Sequence, residues 1–470
     1  MASAQTSPIG LSKLSEYLDV PEPALRLICS LLLGFPLALV HRYTLYGKNA
    51  KYQHIYFIAC GLAIGFWNYE WNVVHSAAAL CVTYLTLKIF GSTVISVTIT
   101  FIFNMAYLLI GYYMTSTNDY DIKWTMPQCV LTLRLIGLAF DLMDGQKPED
   151  KQSAMQKLTA LKVQPSFLEM AAYTYFPGSF LVGPQFSMRR YLDYVHGVLL
   201  KSESESAKLP NCVAVGFGRA AIGLIYLAIF QIGTRYISDQ YLLSSEFLKQ
   251  NFFMRCILLG FWGRFNLYKY ISCWLITEGV CIVFGLTYNG KNDKGRVKWN
   301  GCANVKLRVF ENATTFGHYI LSFNINTNNW CAEYIYKRLR FLGSKLYSQV
   351  VTLLFLAIWH GFHSGYYFCF FMEFIIMYLE KDITPYLEKN QKIQKFMEYL
   401  PARILIWLHL KLYTLVFMGY SLIPFVFLSV EKYTRSYASV YYVGHIIFLT
   451  YPLVAPYIKR LLREPRPHTE

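Results

Sequence analysis

Long apolar segments follow one another along almost the whole chain and are separated by short polar stretches. About 20 apolar residues are enough for a helix to cross the hydrocarbon core of a bilayer. The pattern predicts about eleven transmembrane helices or half-helices, drawn from the segments 25–45, 54–71, 73–90, 93–113, 124–143, 166–184, 213–237, 252–268, 270–286, 348–379, 404–428 and 437–457. We therefore predict an all-α polytopic membrane protein.

The same pattern divides the chain into a polar N-terminal segment (1–23), a membrane-embedded domain (24–458) and a basic tail (459–470). The first segment lacks the basic start, apolar run and small-residue cleavage site of a removable signal. The basic residues before the segment at 348 and in the tail are expected on the cytosolic side, which predicts a cytosolic C-terminus. The sequon at Asn312 would argue for the opposite placement of its loop if it were glycosylated, but its basic neighbours favour the cytosol.

The segment 348–379 combines the length of a span with two histidines. Between residues 350 and 378 it has no Lys, Arg or Asp and a single Glu. An ionisable side chain inside such a segment is costly and usually marks a functional site. His360 is therefore either a catalytic imidazole or a histidine that a neighbouring helix binds for packing. Gly361 and Gly365 would allow a substrate or a helix to approach closely.

Composition supports the membrane class. Hydrophobic residues make up 55% of the chain and charged residues 15%, which is too apolar for an ordinary soluble protein. The net charge of +16 comes without a zinc spacing or a basic helix repeat, so we expect no nucleic-acid partner. In a membrane protein such an excess favours contact with anionic lipids and phosphorylated substrates. The 11 cysteines are scattered and form no CxxC pair, which is typical of reduced core residues.

Two further segments carry unusual polar residues. The segment 124–143 contains Arg134 and Asp141 in an otherwise apolar run, which predicts a helix buried in protein or lying at the interface. The stretch 322–345 holds four asparagines within six positions, and amides in such a setting need hydrogen-bond partners. They are expected to line a polar cavity or to cap the following helix. That helix becomes basic at Lys337 and Arg338, candidates for binding the phosphates of a substrate.

Several kinds of chemistry lack their sequence patterns. The spacing His360-x-x-His363 would place both imidazoles on one helical face, but no HExxH motif or nearby carboxylate accompanies it, so we predict no metal. The motifs GxSxG, GxxxxGK[ST], GxGxxG and HxxxxD are also absent from the sequence. A serine-type covalent mechanism therefore has no visible nucleophile.

Separated motifs resemble those of the membrane-bound O-acyltransferase family. The stretch 359–370 resembles its WHGxxxGYxxxF motif, and residues 420–425 match its YxxxxF motif. Residues 437–445 match the YxxxYFxxH pattern of the lysophospholipid branch, with Tyr442 where Phe is usual. Further similar stretches are GPQF at 183–186, GLTYNG at 285–290, FNINTN at 323–328 and YxxKR at 334–338. In order, these motifs extend the resemblance from about 124 to 457, and it implies that the predicted helices pack around a buried reaction tunnel.

The resemblance implies that His360 is the catalytic histidine and that Asn324 is its partner. Trp359, Tyr366, Tyr441 and His445 become candidate substrate-binding residues because they stand in the matching motifs. The implied reaction, in the endoplasmic reticulum membrane, joins a polyunsaturated acyl group from acyl-CoA to the sn-2 hydroxyl of lysophosphatidylcholine or its ethanolamine and serine counterparts. Acyl-CoA would be a co-substrate, and no cofactor is expected.

One residue departs from the branch pattern. Asn300 follows Trp299 where the branch usually has Asp. Its place in a basic loop predicts a structural hydrogen-bonding role that an amide can fill.

The implied mechanism uses His360 as a general base that accepts the hydroxyl proton as the alcohol attacks the thioester. Burial favours the neutral imidazole that a base needs, and Asn324 would orient a substrate or stabilise the growing charge.

Two alternative functions stay open. One is acylation of a sterol, a diacylglycerol or a protein. The other is a transporter or scramblase with His360 and Arg134 on a polar pathway.

Overall fold

A computed structural model describes residues 11–18, 20–117, 121–201 and 209–463 of the chain. Most of the predicted basic tail, part of the N-terminal segment and residues 202–208 lie outside these ranges. Within them the regular structure is helical, and strand pairing is limited to one isolated bridge between Lys291 and Val297. The predicted all-α class is confirmed.

The α-helices differ widely in length, from 4 to 33 residues. In chain order they are α1 (Leu11–Leu18), α2 (Glu22–Val40), α3 (Ala50–Tyr69), α4 (Val74–Phe90), α5 (Val94–Thr115), α6 (Thr125–Gly145), α7 (Ala154–Thr159), α8 (Phe167–Thr174), α9 (Met188–Val195), α10 (Val198–Lys201), α11 (Val213–Tyr236), α12 (Asp239–Leu242), α13 (Ser245–Lys249), α14 (Phe252–Phe284), α15 (Leu307–Glu311), α16 (Phe316–Ser322), α17 (Ile325–Tyr334), α18 (Lys345–His360), α19 (Ser364–Lys389), α20 (Gln391–Glu398), α21 (Leu400–Phe427), α22 (Val430–Ser439) and α23 (Val443–Leu462). A π-helical turn (His41–Leu45) and three 3₁₀ turns (Glu70–Val73, Glu149–Lys151, Tyr336–Leu342) complete the set.

Seven helical stretches in the described residues are long and apolar enough to cross a membrane, or eight if the pair α22 and α23, bent by 80°, counts as one span. The seven are Glu22–Leu45, Ala50–Phe90, Val94–Thr115, Thr125–Gly145, Val213–Leu242, Phe252–Phe284 and Leu400–Phe427. These helices identify a multi-pass membrane protein. The count of about eleven spans and half-spans stays a prediction.

Burial separates the central helices from the peripheral ones. The apolar windows of α6 and α14 are 72% buried inside the protein, whereas that of the stretch containing α11 is 17% buried. The outward apolar side chains of α11 suit contact with lipid, while α6 and α14 form the centre. The prediction that the segment 124–143 is buried in protein is therefore confirmed, and the polar residues of α6 and α14 lie where other protein groups can satisfy them.

Three predicted spans have the wrong boundaries. The segments 252–268 and 270–286 form one helix, α14, because Lys269 at their junction does not interrupt a helix and its ammonium lies over the Tyr270 ring, 5.1 Å from the centroid. The segment 166–184 is helical only in α8 and continues as buried turns, since two Pro-Gly or Gly-Pro pairs follow it at 177–178 and 183–184.

The segment 348–379 is also divided. α18 ends at His360 and α19 begins at Ser364. The break follows from Gly361, whose φ of 127° is a conformation that residues with a side chain rarely adopt. His360 and His363 therefore stand on opposite sides of a break, and the prediction that they share one helical face is wrong.

Gly365 allows α19 to lie directly against α21. A Cβ atom at this position would lie 1.9 Å from the carbonyl oxygen of Pro424. We expect Gly365→Ala to lower the free energy of unfolding by about 1–3 kcal/mol, because the helices must separate to admit the methyl group. Thermal unfolding of the purified protein in detergent measures the effect. Gly218→Ala is the control, since a Cβ there meets nothing within 4 Å, and equal melting temperatures for the two variants would contradict the close contact.

Candidate active site

A cavity of about 360 Å³ lies between the central helices. Both His360 and Asn324, which the sequence predicts as partners, line this cavity. Most of its lining residues are aromatic or aliphatic, and polar or charged residues make up most of the rest. Among the lining residues are Tyr112, Gln185, Trp274, Asn304, Phe323, Tyr366, Phe370, Glu373 and Phe425.

One end of the cavity reaches the polar loop between α5 and α6. Ser116, Asp121 and Lys123 line it there, beside His363, whose imidazole lies 3.2 Å from the Ser116 hydroxyl. Burial alone would raise the pKa of Asp121, but hydrogen bonds from Lys123 and Thr117 hold this pKa below its usual value. The carboxylate therefore stays charged next to its lysine, and this end of the cavity is polar.

The His360 imidazole lies among aromatic rings. Its ring is half-buried, and its exposed part faces the cavity. The rings that surround it, with centroid distances, are Trp359 (4.7 Å), Phe425 (5.1 Å), Tyr366 (5.4 Å) and Phe370 (5.5 Å). We find no hydrogen bond from this imidazole to any residue in the described ranges. Its lone pair is thus available to a ligand in the cavity, as a general base requires.

Two tryptophans attach α17 and α18 to α6. The indole N–H of Trp359 donates to the carbonyl of Cys129 at 3.0 Å, and that of Trp330 donates to the carbonyl of Leu133 at 2.9 Å. The two carbonyls are one helical turn apart. Trp359 therefore fixes the end of α18, and with it the position of His360, while Trp330 fixes α17.

Asn324 precedes α17 in a left-handed conformation with φ 48° and ψ 45°, which asparagine tolerates better than most residues. Hydrogen bonds define the orientation of its amide. The backbone N–H of Asn326 donates to Oδ1 of Asn304 at 3.0 Å, so the NH₂ group of Asn304 must face the other way. That group donates to Oδ1 of Asn324 at 3.3 Å. The NH₂ group of Asn324 is thus left as the donor at the cavity.

A buried ion pair supports this asparagine pair. Oε1 of Glu278 accepts the backbone N–H groups of Asn304 at 2.6 Å and Val305 at 3.1 Å. Oε2 of Glu278 lies 2.7 Å from the Arg219 guanidinium. Sequence reasoning missed this support, because Glu278 and Arg219 stand in different helices, although a charge in each apolar segment was a visible signal.

The predicted phosphate-binding residues do not line the cavity. Lys337 pairs with Glu333 at 2.5 Å, and Arg338 pairs with Asp144 at the end of α6. The cavity contacts the first half of α6, whose 21 residues span about 30 Å. Arg338 therefore lies near the opposite end of this helix. A role of Lys337 and Arg338 in substrate binding stays a prediction.

Arg338→Ala should reduce stability by about 1–3 kcal/mol, because the Asp144 carboxylate, 1% exposed, would keep only Lys147 as a cationic partner. Thermal unfolding and the KM for acyl-CoA, measured on the same preparation, separate this role from substrate binding. We expect the melting temperature to fall and KM to stay close to that of wild type. An unchanged melting temperature with a strongly raised KM would instead support the phosphate-binding assignment. Lys157→Ala, in α7, is the control, because Lys157 has no partner among the described ion pairs.

Tyr441 and His445 also lie outside the cavity lining. A ring nitrogen of His445 lies 2.5 Å from the Tyr420 hydroxyl, and the Tyr437 ring lies 4.6 Å away. Arg255 donates to the Tyr441 hydroxyl at 3.2 Å. These contacts join α14, α21, α22 and α23, so the motif that carries them packs helices together in this structure. A substrate contact for either residue stays a prediction. Tyr366, by contrast, lines the cavity beside His360.

The remaining sequence expectations concern Asn300 and metals. Oδ1 of Asn300 accepts the amide N–H of Asn289 at 2.9 Å, which is the structural hydrogen bond expected of it. No three His, Cys, Asp or Glu side chains in the described part of the chain gather in a way that would hold a metal ion. That the reaction needs no metal or cofactor stays a prediction.

Two cavity residues were missed from the sequence. Glu373 is the single carboxylate of the segment 348–379, and it follows Phe370 by one helical turn of α19. Gln185 was noted only as a letter of a motif. The lone Glu was itself a signal, since charge within an apolar segment marks a functional position; Gln185 gave no comparable signal.

Comparisons with known proteins agree with the motifs. The sequence model of the MBOAT, membrane-bound O-acyltransferase, family matches residues 109–423. The chain is 43% identical to lysophospholipid acyltransferase 5 of Homo sapiens over 97% of this chain and 93% of the relative. It is 44% identical to the Drosophila melanogaster protein of that name, over 90% of this chain and 85% of the relative. For the Caenorhabditis elegans protein of that name the identity is 35%, over 96% of both chains.

Proposed function

This chain belongs to the membrane-bound O-acyltransferase family, and we propose that it transfers a fatty acyl group from acyl-CoA to the sn-2 hydroxyl of a lysophospholipid. The observation that carries the proposal is the His360 imidazole, which faces the cavity without a hydrogen-bond partner in the described residues and shares the cavity with the oriented amide of Asn324. The names of the relatives supply the acceptor class. Lysophosphatidylcholine is the proposed acceptor, together with its ethanolamine and serine counterparts.

The proposed reaction is a direct transfer. The lysophospholipid hydroxyl oxygen bonds to the thioester carbon while the His360 imidazole takes the hydroxyl proton. The carbon–sulfur bond then breaks, sulfur leaves with the electron pair, and the proton on His360 passes to it, so that the products are phospholipid and the thiol of coenzyme A. General base catalysis of this kind typically contributes about 10²- to 10⁴-fold. A thioester is already activated, so an enzyme nucleophile is not required.

Asn324 is proposed to stabilise the carbonyl oxygen as negative charge develops on it. Its NH₂ group is a preoriented donor, because Asn304 occupies its Oδ1. A donor that needs no reorganisation during the reaction favours the transition state over the bound substrate. Holding this donor in place includes the free-energy cost of burying the Glu278 carboxylate beside Arg219.

The cavity walls suit two amphiphilic substrates. Aromatic and aliphatic side chains dominate them, and such a lining binds acyl chains while excluding water. Exclusion of water favours transfer to the alcohol over hydrolysis of the thioester. We further propose a polyunsaturated acyl donor, an endoplasmic reticulum location and a cytosolic C-terminus. The basic last turn of α23, with Lys459 and Arg460, supports the last of these.

The test is an acceptor panel with purified protein in lipid nanodiscs. Labelled acyl-CoA is supplied with a lysophospholipid, cholesterol or a diacylglycerol, and the labelled products are identified. The proposal expects label in diacyl phospholipid only. Label in a sterol ester, a triacylglycerol or an added protein would show that the acceptor is not a lysophospholipid. Lipid flux without any ester product would indicate a transporter.

A further inference from the structure

Arg134 is a buried cation without an acidic partner among the described residues. It lies in α6 with 2% of its surface exposed, between the rings of Tyr173 and Phe186. Its guanidinium donates only to neutral oxygens, namely Oε1 of Gln185 (3.0 Å), the carbonyls of Tyr173 (3.1 Å), Ser179 (3.1 Å) and Pro184 (3.2 Å), and the Ser179 hydroxyl (2.7 Å). Burying a charge without a counter-ion is costly, so its position requires an explanation beyond packing.

Gln185 lies between this charge and the cavity. Arg134 does not line the cavity, but Gln185 does. Because the Nε–H group of Arg134 can only donate, the group that it meets must be the amide oxygen of Gln185. The NH₂ group of Gln185 is therefore held on the other side of the amide. This NH₂ group donates to the Val130 carbonyl over a long distance of 3.5 Å. Its second N–H is therefore available to a ligand at the cavity wall.

Gln185 and Trp359, the residue before His360, both donate to carbonyl groups in one turn of α6. The Val130 carbonyl, which Gln185 reaches, adjoins the Cys129 carbonyl, which accepts the Trp359 indole. The Trp359 ring is in contact with the His360 ring. Trp330, in the helix that Asn324 precedes, binds the next turn of α6. Gln185 thus lines the same cavity as both proposed catalytic residues, and the turns of α6 that it and the two tryptophans bind are adjacent.

We propose that Gln185 is a second oxyanion donor. The inference rests on the proposed acyl transfer. When the hydroxyl oxygen bonds to the thioester carbon, the carbonyl electron pair moves onto oxygen, and this oxygen accepts N–H groups from Gln185 and Asn324. The pair returns to form the ester carbonyl as the carbon–sulfur bond breaks. Arg134 is a positioning residue: it fixes the amide and polarises it, so that the N–H donor is stronger than in an isolated amide.

Gln185→Glu tests this role with a minimal change of shape. A glutamate keeps the oxygen that accepts from Arg134 and supplies the missing counter-ion, but it has no N–H donor. If Gln185 only satisfied Arg134, this variant would fold and act normally. We expect kcat to fall by about 10²- to 10³-fold, the usual effect of removing one such donor. Gln394→Glu, on exposed α20, is the matched control.

Binding is measured separately with a thioether analogue of acyl-CoA, in which a methylene replaces the carbonyl. Because the analogue has no oxygen for Gln185 to stabilise, its Kd should be the same for wild type and Gln185→Glu. A second variant, Gln185→Met, removes the amide of Gln185 and keeps Arg134, whose other acceptors on Tyr173, Ser179 and Pro184 remain in place. It should show the same loss of kcat with the same analogue affinity.

Near-wild-type kcat in either variant would overturn the inference and leave the proposed function intact. So would a loss of analogue binding that accompanies the loss of activity in both variants, because that result indicates a structural role. Failure of the wild-type protein to acylate any lysophospholipid would contradict the proposed function itself, which the same assay detects.

Discussion

Replacing His360 by alanine is expected to lower the rate of acyl transfer from acyl-CoA to lysophospholipid by about 10²- to 10⁴-fold, because the hydroxyl group loses its proton acceptor. His363 also lines the cavity, but it lies across the break at Gly361, where it contacts Ser116 and lies 6.1 Å from the Tyr366 ring, so it does not occupy the position of His360. The effect should appear in kcat, with little change in KM, since the imidazole acts in the transition state.

The control for this prediction is His409→Ala. His409 lies on α21 with an exposed side chain, so its removal should leave the rate unchanged. Both variants are compared at equal protein concentration and with thermal unfolding as a check on folding. A His360→Ala variant that folds and retains a rate within a few-fold of wild type would remove the imidazole from the mechanism.

Asn324→Asp should lower kcat by about 10²- to 10³-fold. Aspartate keeps the oxygen that accepts from Asn304 and tolerates the left-handed backbone at this position, but it replaces the NH₂ donor with an oxygen. Alanine would confound the loss of the donor with backbone strain, which makes aspartate the sharper variant. The measurement is steady-state kinetics with saturating acyl-CoA and lysophospholipid.

Asn312→Asp provides the matched control for Asn324. Asn312 is a surface residue whose amide donates to the carbonyl of Arg308, outside the cavity lining. If Asn324→Asp retained wild-type kcat, the oriented amide would have no part in charge stabilisation, whatever the outcome for His360.

Local patterns in the sequence predicted the class of fold and singled out His360, which the structure places in the cavity. Hydropathy is a property of neighbouring residues, so it identified most apolar helices and the histidine at 360. The end of α18 at Gly361 depends on a backbone conformation that the apolar pattern does not report. The same is true of α14, which continues through Lys269 because a long cationic side chain does not by itself end a helix.

Contacts between distant segments were not predictable in this way. Glu278 and Arg219 are 59 positions apart, yet together they support the loop that positions Asn324. Arg338 was expected to meet a substrate phosphate, but the structure pairs it with Asp144, 194 positions away. A charge in the sequence signals the need for a partner and does not identify it.

The buried charged residues of the central helices all bind groups in other segments of the chain. α6 and α14, the most buried of the spanning helices, carry Arg134, Asp141 and Glu278, and each of these groups is hydrogen-bonded to another segment of the chain. Satisfied polar networks rigidify the structure that contains them. In this protein they hold Asn324 and Gln185 in place from behind, while the aromatic rings hold His360.

The central claim is a direct transfer between two substrates in one cavity. A single-turnover experiment tests it: wild-type protein in excess is mixed with acyl-CoA labelled in the acyl group, with and without lysophospholipid, and the reaction is quenched with denaturant. We predict that label passes to phospholipid at the rate at which coenzyme A is released, that no release occurs without lysophospholipid, and that denatured protein carries no label. Label bound to the denatured chain, or a burst of coenzyme A without acceptor, would contradict the mechanism.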